Sequence, residues 1–182
     1  MTNDTTSTGT SQTESTGRIP DPVHRSSYCF RRDGENLWVE TWLQDGAHLP
    51  EHFHPSLEER WEIVEGAVQL KLDGHWRELT PEDGSGCVGR NAKHELKLKN
   101  TSGREAHALT KVLPAGGLEE FLTESARAAR DGVFNAGGLP TSLRGAIWVA
   151  AFAQRFRHET VMTSPPPALQ RLILPVLGRF AR

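Results

Sequence analysis

Two histidines one residue apart, His52 and His54, are followed five positions later by Glu59 in the segment GAHLPEHFHPSLEERWEIVEG, which runs from Gly46 to Gly66. On an extended chain, residues i and i+2 project to the same face, so the two imidazoles can aim at one point. A turn at Pro55-Ser56 brings Glu59 back beside them. Two neutral nitrogens and one carboxylate oxygen suit a divalent transition metal ion: Fe, Mn, Ni, Cu or Zn. A site of this kind with a coordination position left open is the catalytic rather than the closed structural type.

Such side chains need strands to hold them, and the middle of the chain reads as β structure. NLWVETWL sets Leu37, Val39, Thr41 and Leu43 on one face against Trp38, Glu40 and Trp42 on the other, a period of two. RWEIVEGAVQLKLDGHWREL reads as strands broken at Glu65-Gly66 and at a hairpin turn over Asp73-Gly74. HELKLKN and EAHALTKVLP continue the pattern. Many short strands with Gly, Pro and Asp turns between them predict an all-β sandwich or barrel. Glu59, Trp61 and Ile63 share a parity, which puts Trp61 on the wall of any pocket that Glu59 faces. His48 shares the parity of His52 and His54, and a regular strand would aim it at the same pocket as a substrate contact. His24, His75 and His158 lie in polar or turn-like contexts and read as solvated; His107 fits either face of its strand.

The order Gly46, five residues, His52-x-His54, four residues, Glu59, six residues, Gly66 resembles the first motif of the cupin superfamily, with every fixed position filled. PEDGSGCVGRNAKHELKLKN resembles the second motif, and there His94 takes the place of the later histidine. Asn91 replaces the usual turn glycine, Lys93 the usual proline, and Asn100 falls two residues late. Asn adopts the left-handed conformation more readily than most non-glycine residues, so the first exchange is mild. Lys93 puts a cation next to the implied ligand. PAGGLEEFL, with a helical tail after the barrel, is similar to a group of bacterial single-domain cupins. The resemblance implies an all-β jelly-roll (cupin) barrel with a C-terminal α-helical extension, holding one divalent transition metal ion on His52, His54, Glu59 and His94. It further implies Glu59 as a proton acceptor and a small molecule as ligand or substrate, with Trp61 and His48 in the pocket. Cupins host dioxygenases, oxalate enzymes, isomerases, lyases and binding modules, and fold alone does not choose among them. The expectation is an oxidoreductase of dioxygenase type acting on a small oxygenated or aromatic metabolite. The alternatives are a non-catalytic binder and an isomerase or cyclase.

The chain has 182 residues and a formal net charge of −2. That length suits one domain with a real core and some added structure, and nothing in the charge marks a nucleic-acid binder. Two cysteines, Cys29 and Cys87, fit a reducing, cytoplasmic setting. Residues 1–20, rich in Thr, Ser and Gly, read as a disordered tail with no secretory signal, and no apolar run is long enough to span a membrane. The barrel is expected over 21–114 and a helical extension over 115–182. LEEFLTESARAARDG sets Leu118, Phe121, Leu122, Ser125 and Ala129 at helical spacing, with acids first and arginines last. SLRGAIWVAAFAQRFRH is a second helix, capped by Thr141 or Ser142. In ALQRLILPVLGRFAR, the residues Leu169, Leu172, Ile173, Val176, Leu177 and Phe180 form an apolar stripe with Pro175 as a kink. That stripe is expected to dock on the barrel or the second helix, or to complete a homodimer. With Arg171, Arg179 and Arg182 beside it, an anionic membrane surface is the competing partner.

Overall fold

The computed structural model describes residues 13–14, 17–98 and 103–179. Its strands are β1 Thr13–Glu14, β2 Ile19–Asp21, β3 Ser26–Asp33, β4 Asn36–Leu43, β5 His48–Phe53 and β6 Glu58–Glu65. They continue as β7 Val68–Leu72, β8 His75–Leu79, β9 Ser85–Val88, β10 His94–Lys97 and β11 Ala106–Leu113. Three helices follow, α1 Leu118–Arg130, α2 Leu143–Arg155 and α3 Pro167–Gly178, with a short strand β12 Val161–Met162 between the last two.

All strand pairs are antiparallel and form two sheets. The larger runs β1-β3-β4-β11-β6-β9, with β2 also on β3; the smaller runs β12-β5-β10-β7-β8. The period-two pattern holds where it was legible: Leu37, Val39, Thr41 and Leu43 of β4 all point inward. Hairpin β7–β8 turns through Asp73 and Gly74, both at positive φ, which is the geometry an Asp-Gly pair favours. Gly66 is required twice over. Its φ is +82°, and a Cβ there would lie 3.1 Å from the Ala106 side chain of β11.

Two apolar clusters fill the space between the sheets. One holds Leu43, Trp61, Ile63, Leu70, Leu96 and Ala108; the other holds Tyr28, Phe30, Leu37, Val39, Leu57 and Val112, closed by Leu118 and Ala126 of α1. Along β4, β6 and β11 the clusters are separated by Thr41, Glu59 and Thr110, all buried. This polar belt crosses the middle of an otherwise apolar interior.

The helices form where their caps and periodicity put them. Ser142, rather than Thr141, caps α2, its hydroxyl accepting from Gly145 N–H at 3.0 Å. Helix α1 carries Glu119 and Glu120 in its first turn and Arg127 and Arg130 in its last. Arg32 on β3 ties to Glu119 at 2.6 Å.

Three expectations need correction. The segment read as disordered through residue 20 carries paired backbone at Thr13–Glu14 and Ile19–Asp21, both on the edge of β3. An open sheet edge offers free N–H and C=O groups to any neighbouring chain, whatever its composition. Residues 1–12, 15–16 and Asn100 lie outside the described residues. Of the stripe read on the last helix, only Leu177 lies on the docked side. Helix α3 does pack on α2, but through the face bearing Gln170, Leu174, Leu177 and Gly178. Leu169, Leu172, Ile173 and Val176 remain exposed, and Phe180 and Arg182 lie outside the described residues. Apolar residues surround most of this helix, so periodicity cannot choose its buried side. His48 also points away from the pocket, for the reason given below. Among the described residues no helix is long and apolar enough to cross a membrane.

Candidate metal centre

His52 lies on β5 and His94 opposite it on β10, as directly paired residues of one ladder. His54 follows just beyond the end of β5, and Glu59 projects inward from β6 in the facing sheet. The loops that carry these residues are tied to each other: Asn91 N–H donates to the His54 carbonyl at 2.8 Å. Asn91 adopts φ +62°, the conformation expected for the residue in the glycine's place. Lys93 is exposed, so its cation leaves the site and goes to solvent.

The three imidazoles converge. Ring centroids are 4.9 Å apart for His52 and His54, 4.1 Å for His52 and His94, and 5.0 Å for His54 and His94. One ligand nitrogen from each lies within 4.8 Å of the others. Glu59 stands outside that trio but against two of its members, with Oε1 3.4 Å from His54 Nε2 and Oε2 3.3 Å from His94 Nε2. Trp61 Nε1 donates to Glu59 Oε2 at 2.8 Å, so this tryptophan both lines the cavity and orients the carboxylate.

The tautomers follow from the partners. His52 Nδ1 is 2.8 Å from the Pro50 carbonyl, His54 Nδ1 2.6 Å from the Glu159 carbonyl and His94 Nδ1 3.1 Å from the Ala92 carbonyl. A carbonyl only accepts, so each Nδ1 carries the hydrogen and each Nε2 keeps its lone pair. The Nε2 atoms of His54 and His94 are buried with no hydrogen-bond partner. Orphaned buried nitrogens are costly and rare, and a lone pair aimed at a shared point is what a metal ion uses. The three histidines therefore fit a divalent metal ion.

Electrostatics sharpen the picture. Burial, with the neighbouring His94 and His54 rings, holds His52 well below its ordinary pKa. Burial also opposes charge on His54, but the Glu59 carboxylate outweighs it and raises the pKa. For Glu59 burial alone would favour the neutral acid, yet His54 and His94 hold the carboxyl well below the usual carboxylate range. Glu59 is thus a buried anion beside imidazole nitrogens, a charge complementary to a cation.

His48 does not join them. His94 pairs with His52, but Leu96 pairs with Leu49, so two residues of β5, Pro50 and Glu51, oppose the single Glu95 of β10. This bulge reverses the strand's parity. Leu49 turns toward the core, and His48 turns outward, with Nε2 2.8 Å from Glu95 Oε1. His107 also faces out, 3.0 Å from Glu40 and stacked on Trp42.

The site opens into a cavity of about 1010 Å³ between the barrel and the helices. All five α1 residues read at helical spacing, Leu118, Phe121, Leu122, Ser125 and Ala129, line it, as do Trp61, Thr41 and Thr110. Three contributors were not legible in sequence. The first is the Thr110 hydroxyl, buried without a partner; its inward parity on β11 was the available signal. The second is His24, which was read as solvated but lines the cavity, with Nδ1 2.7 Å from the buried Asp21 carboxylate. The third is the segment 158–163, which carried no signal. There the Glu159 carbonyl holds His54, β12 pairs with β5 at Phe53 and His52, and Thr163 donates twice to the Glu51 carbonyl.

Two facing antiparallel sheets, with three histidines converging between them and a glutamate against two of these, form a β-barrel carrying a helical extension, the architecture that the motif resemblance implies. No protein-family model and no curated protein matches the chain. Among solved structures it is similar to KdgF from a Halomonas species, with 17% identity over 50% of this chain and 79% of that one and a TM-score of 0.45. It is also similar to an RmlC-like cupin from Shewanella frigidimarina, with 19% identity over 64% and 94% of the two chains and a TM-score of 0.44. The cupin domain of Cnp3 from Schizosaccharomyces pombe shares 13% identity over 53% and 69%, with a TM-score of 0.44. Likeness this distant carries no argument about activity, and the description of the barrel rests on this chain's own strands and histidines.

Proposed function

We propose that the chain is a metal-dependent oxidoreductase of dioxygenase type, acting on a small oxygenated or aromatic metabolite held in the cavity. The observation that carries the reading is the pair of buried, partnerless nitrogens, His54 Nε2 and His94 Nε2, 3.4 and 3.3 Å from the two oxygens of the Glu59 carboxyl. His52, His54 and His94 would hold the ion, with Glu59 as the fourth ligand. A divalent ion there supplies Lewis-acid activation of a substrate oxygen and, when redox-active, chemistry with dioxygen.

The chain's own groups do the rest. Backbone carbonyls fix the histidine tautomers, and the Trp61 N–H holds Glu59 in place. Glu59, its carboxylate facing the cavity, is the proton acceptor for a substrate hydroxyl. Two free thiols, Cys29 and Cys87, agree with a reducing, cytoplasmic setting. A homodimer through the exposed face of α3 completes the proposal, and sedimentation of the purified protein checks it.

Metal analysis of the purified protein is the first test, followed by oxygen uptake over catechols, flavonols and diketones. Metal at one ion per chain with uptake on one substrate class supports the reading. Bound metal with substrate rearranged and no oxygen consumed replaces it with an isomerase or cyclase. A ligand bound and returned unchanged replaces it with a binding module.

A further inference from the structure

The cavity's walls and its charges point to one class of ligand. Phe121 and Leu122 of α1 and Val149 and Phe152 of α2 form its outer wall. A volume of about 1010 Å³ is at the upper end for small-molecule pockets. Lining this apolar does not hold a very small polar metabolite tightly, because most of its surface would meet no partner.

The charges are uneven. Two acids line the cavity, Asp21 and Glu59, and both are engaged: Asp21 pairs with His24 at 2.7 Å, and Glu59 accepts from Trp61 Nε1 at 2.8 Å. Two guanidiniums line it as well, Arg157 after α2 and Arg171 on α3. Arg157 donates to the Gln154 carbonyl at 3.2 Å, and neither arginine makes a salt bridge among the described residues. Both are exposed, on the side of the cavity built by the helical extension. A chamber with apolar walls and a cationic rim complements an apolar anion.

We infer that the cavity binds an amphipathic monoanion, an aromatic or long aliphatic body carrying one carboxylate or comparable oxyacid group. Its body lies against Phe121 and Phe152, and its charge is met by Arg157 and Arg171. The inference rests on the reading of this cavity as the substrate chamber and adds the ligand's chemical class.

The test uses two fluorescent probes on the purified full chain: anilinonaphthalene sulfonate, an apolar anion, and phenylnaphthylamine, its uncharged counterpart. Arg157→Gln and Arg171→Gln are each expected to weaken the sulfonate about tenfold and to leave the neutral probe within about twofold. Both sites are exposed, so these variants keep their fold. Ala153→Phe on α2, which fills the chamber, is expected to weaken both probes by more than about tenfold; Ser125→Leu on α1 does the same from the other wall. Equal loss of both probes in the arginine variants, or no loss of the sulfonate, overturns the anion class. Binding of both probes unchanged by either filling variant overturns the location. Metal content of His54→Ala decides the metal reading separately and is moved by neither result, so the two failures are told apart.

Discussion

Leu37, Leu43 and Leu70 of the barrel are completely buried, whereas α3 of the extension buries no residue and leaves Leu172 73% exposed. Every inner strand of the barrel is paired on both sides, and the two facing sheets pack their side chains against each other. The extension has one layer of helix over a cavity, and α2 buries only Gly145 and Ala150. Yet the weaker region holds the site. The Glu159 carbonyl fixes the tautomer of His54, and β12 covers the edge of β5 that carries the histidine pair. A rigid half that supplies the ligands and a looser half that orients one of them, and walls the cavity, divide the work between precision and access.

The largest expected effect lies at the point where the halves meet. His54→Ala removes one nitrogen ligand and is expected to lower bound metal by more than about a hundredfold, read by elemental analysis, while circular dichroism keeps the β signature. Loss of folded protein instead would make the ion structural and erase the contrast.

Core substitutions sharpen the comparison directly. Leu70→Ala in the barrel is expected to cost about 2–5 kcal/mol in urea unfolding, and Leu172→Ala on α3 no more than about 0.5 kcal/mol. Similar costs would mean that α3 is buried against a second copy, and the mass in solution would show it.

A smaller effect tests whether the extension belongs to the site. Thr163→Pro deletes both donors to the Glu51 carbonyl beside β12. Metal affinity is expected to fall about 10- to 100-fold, as for loss of the groups that orient a ligand. Unchanged affinity would assign the site to the barrel alone.

The smallest is a pH slope in metal-free protein. His52 titrates well below its ordinary 6.5 in the folded chain, so as pH falls through 6.5 the unfolded chain takes up a proton that the folded site refuses. Stability therefore drops with falling pH, by at most about 1.4 kcal/mol per unit. Glu59, held low, adds a second loss as pH falls through the carboxylate range, because protons that bind the unfolded carboxyl must be forced onto the folded one. His54, held high, acts oppositely: its contribution is present below 6.5 and lost as pH rises through its raised value. It adds no slope below 6.5, so His52→Gln should flatten the melting-temperature profile just under that pH. A profile unchanged by the substitution would contradict this assignment.

His94 was placed beside the first two histidines only by the resemblance of its segment to the second cupin motif, whereas the alternation of NLWVETWL, the Asp73-Gly74 turn, the inward parity of Glu59 with Trp61 and the shared face of His52 and His54 were legible in the residues themselves. They depend on neighbours a few residues apart or on strand pairing that the period of two enforces. The bulge that turns His48 outward was not, because it exists only in the register between β5 and β10. Nor was the docked side of α3, where apolar residues on nearly every face left the choice to the shape of α2. The Glu159 carbonyl that holds His54 lies 105 residues away from it. A backbone carbonyl has no side-chain identity to read, so only the return of the chain across the barrel could place it there.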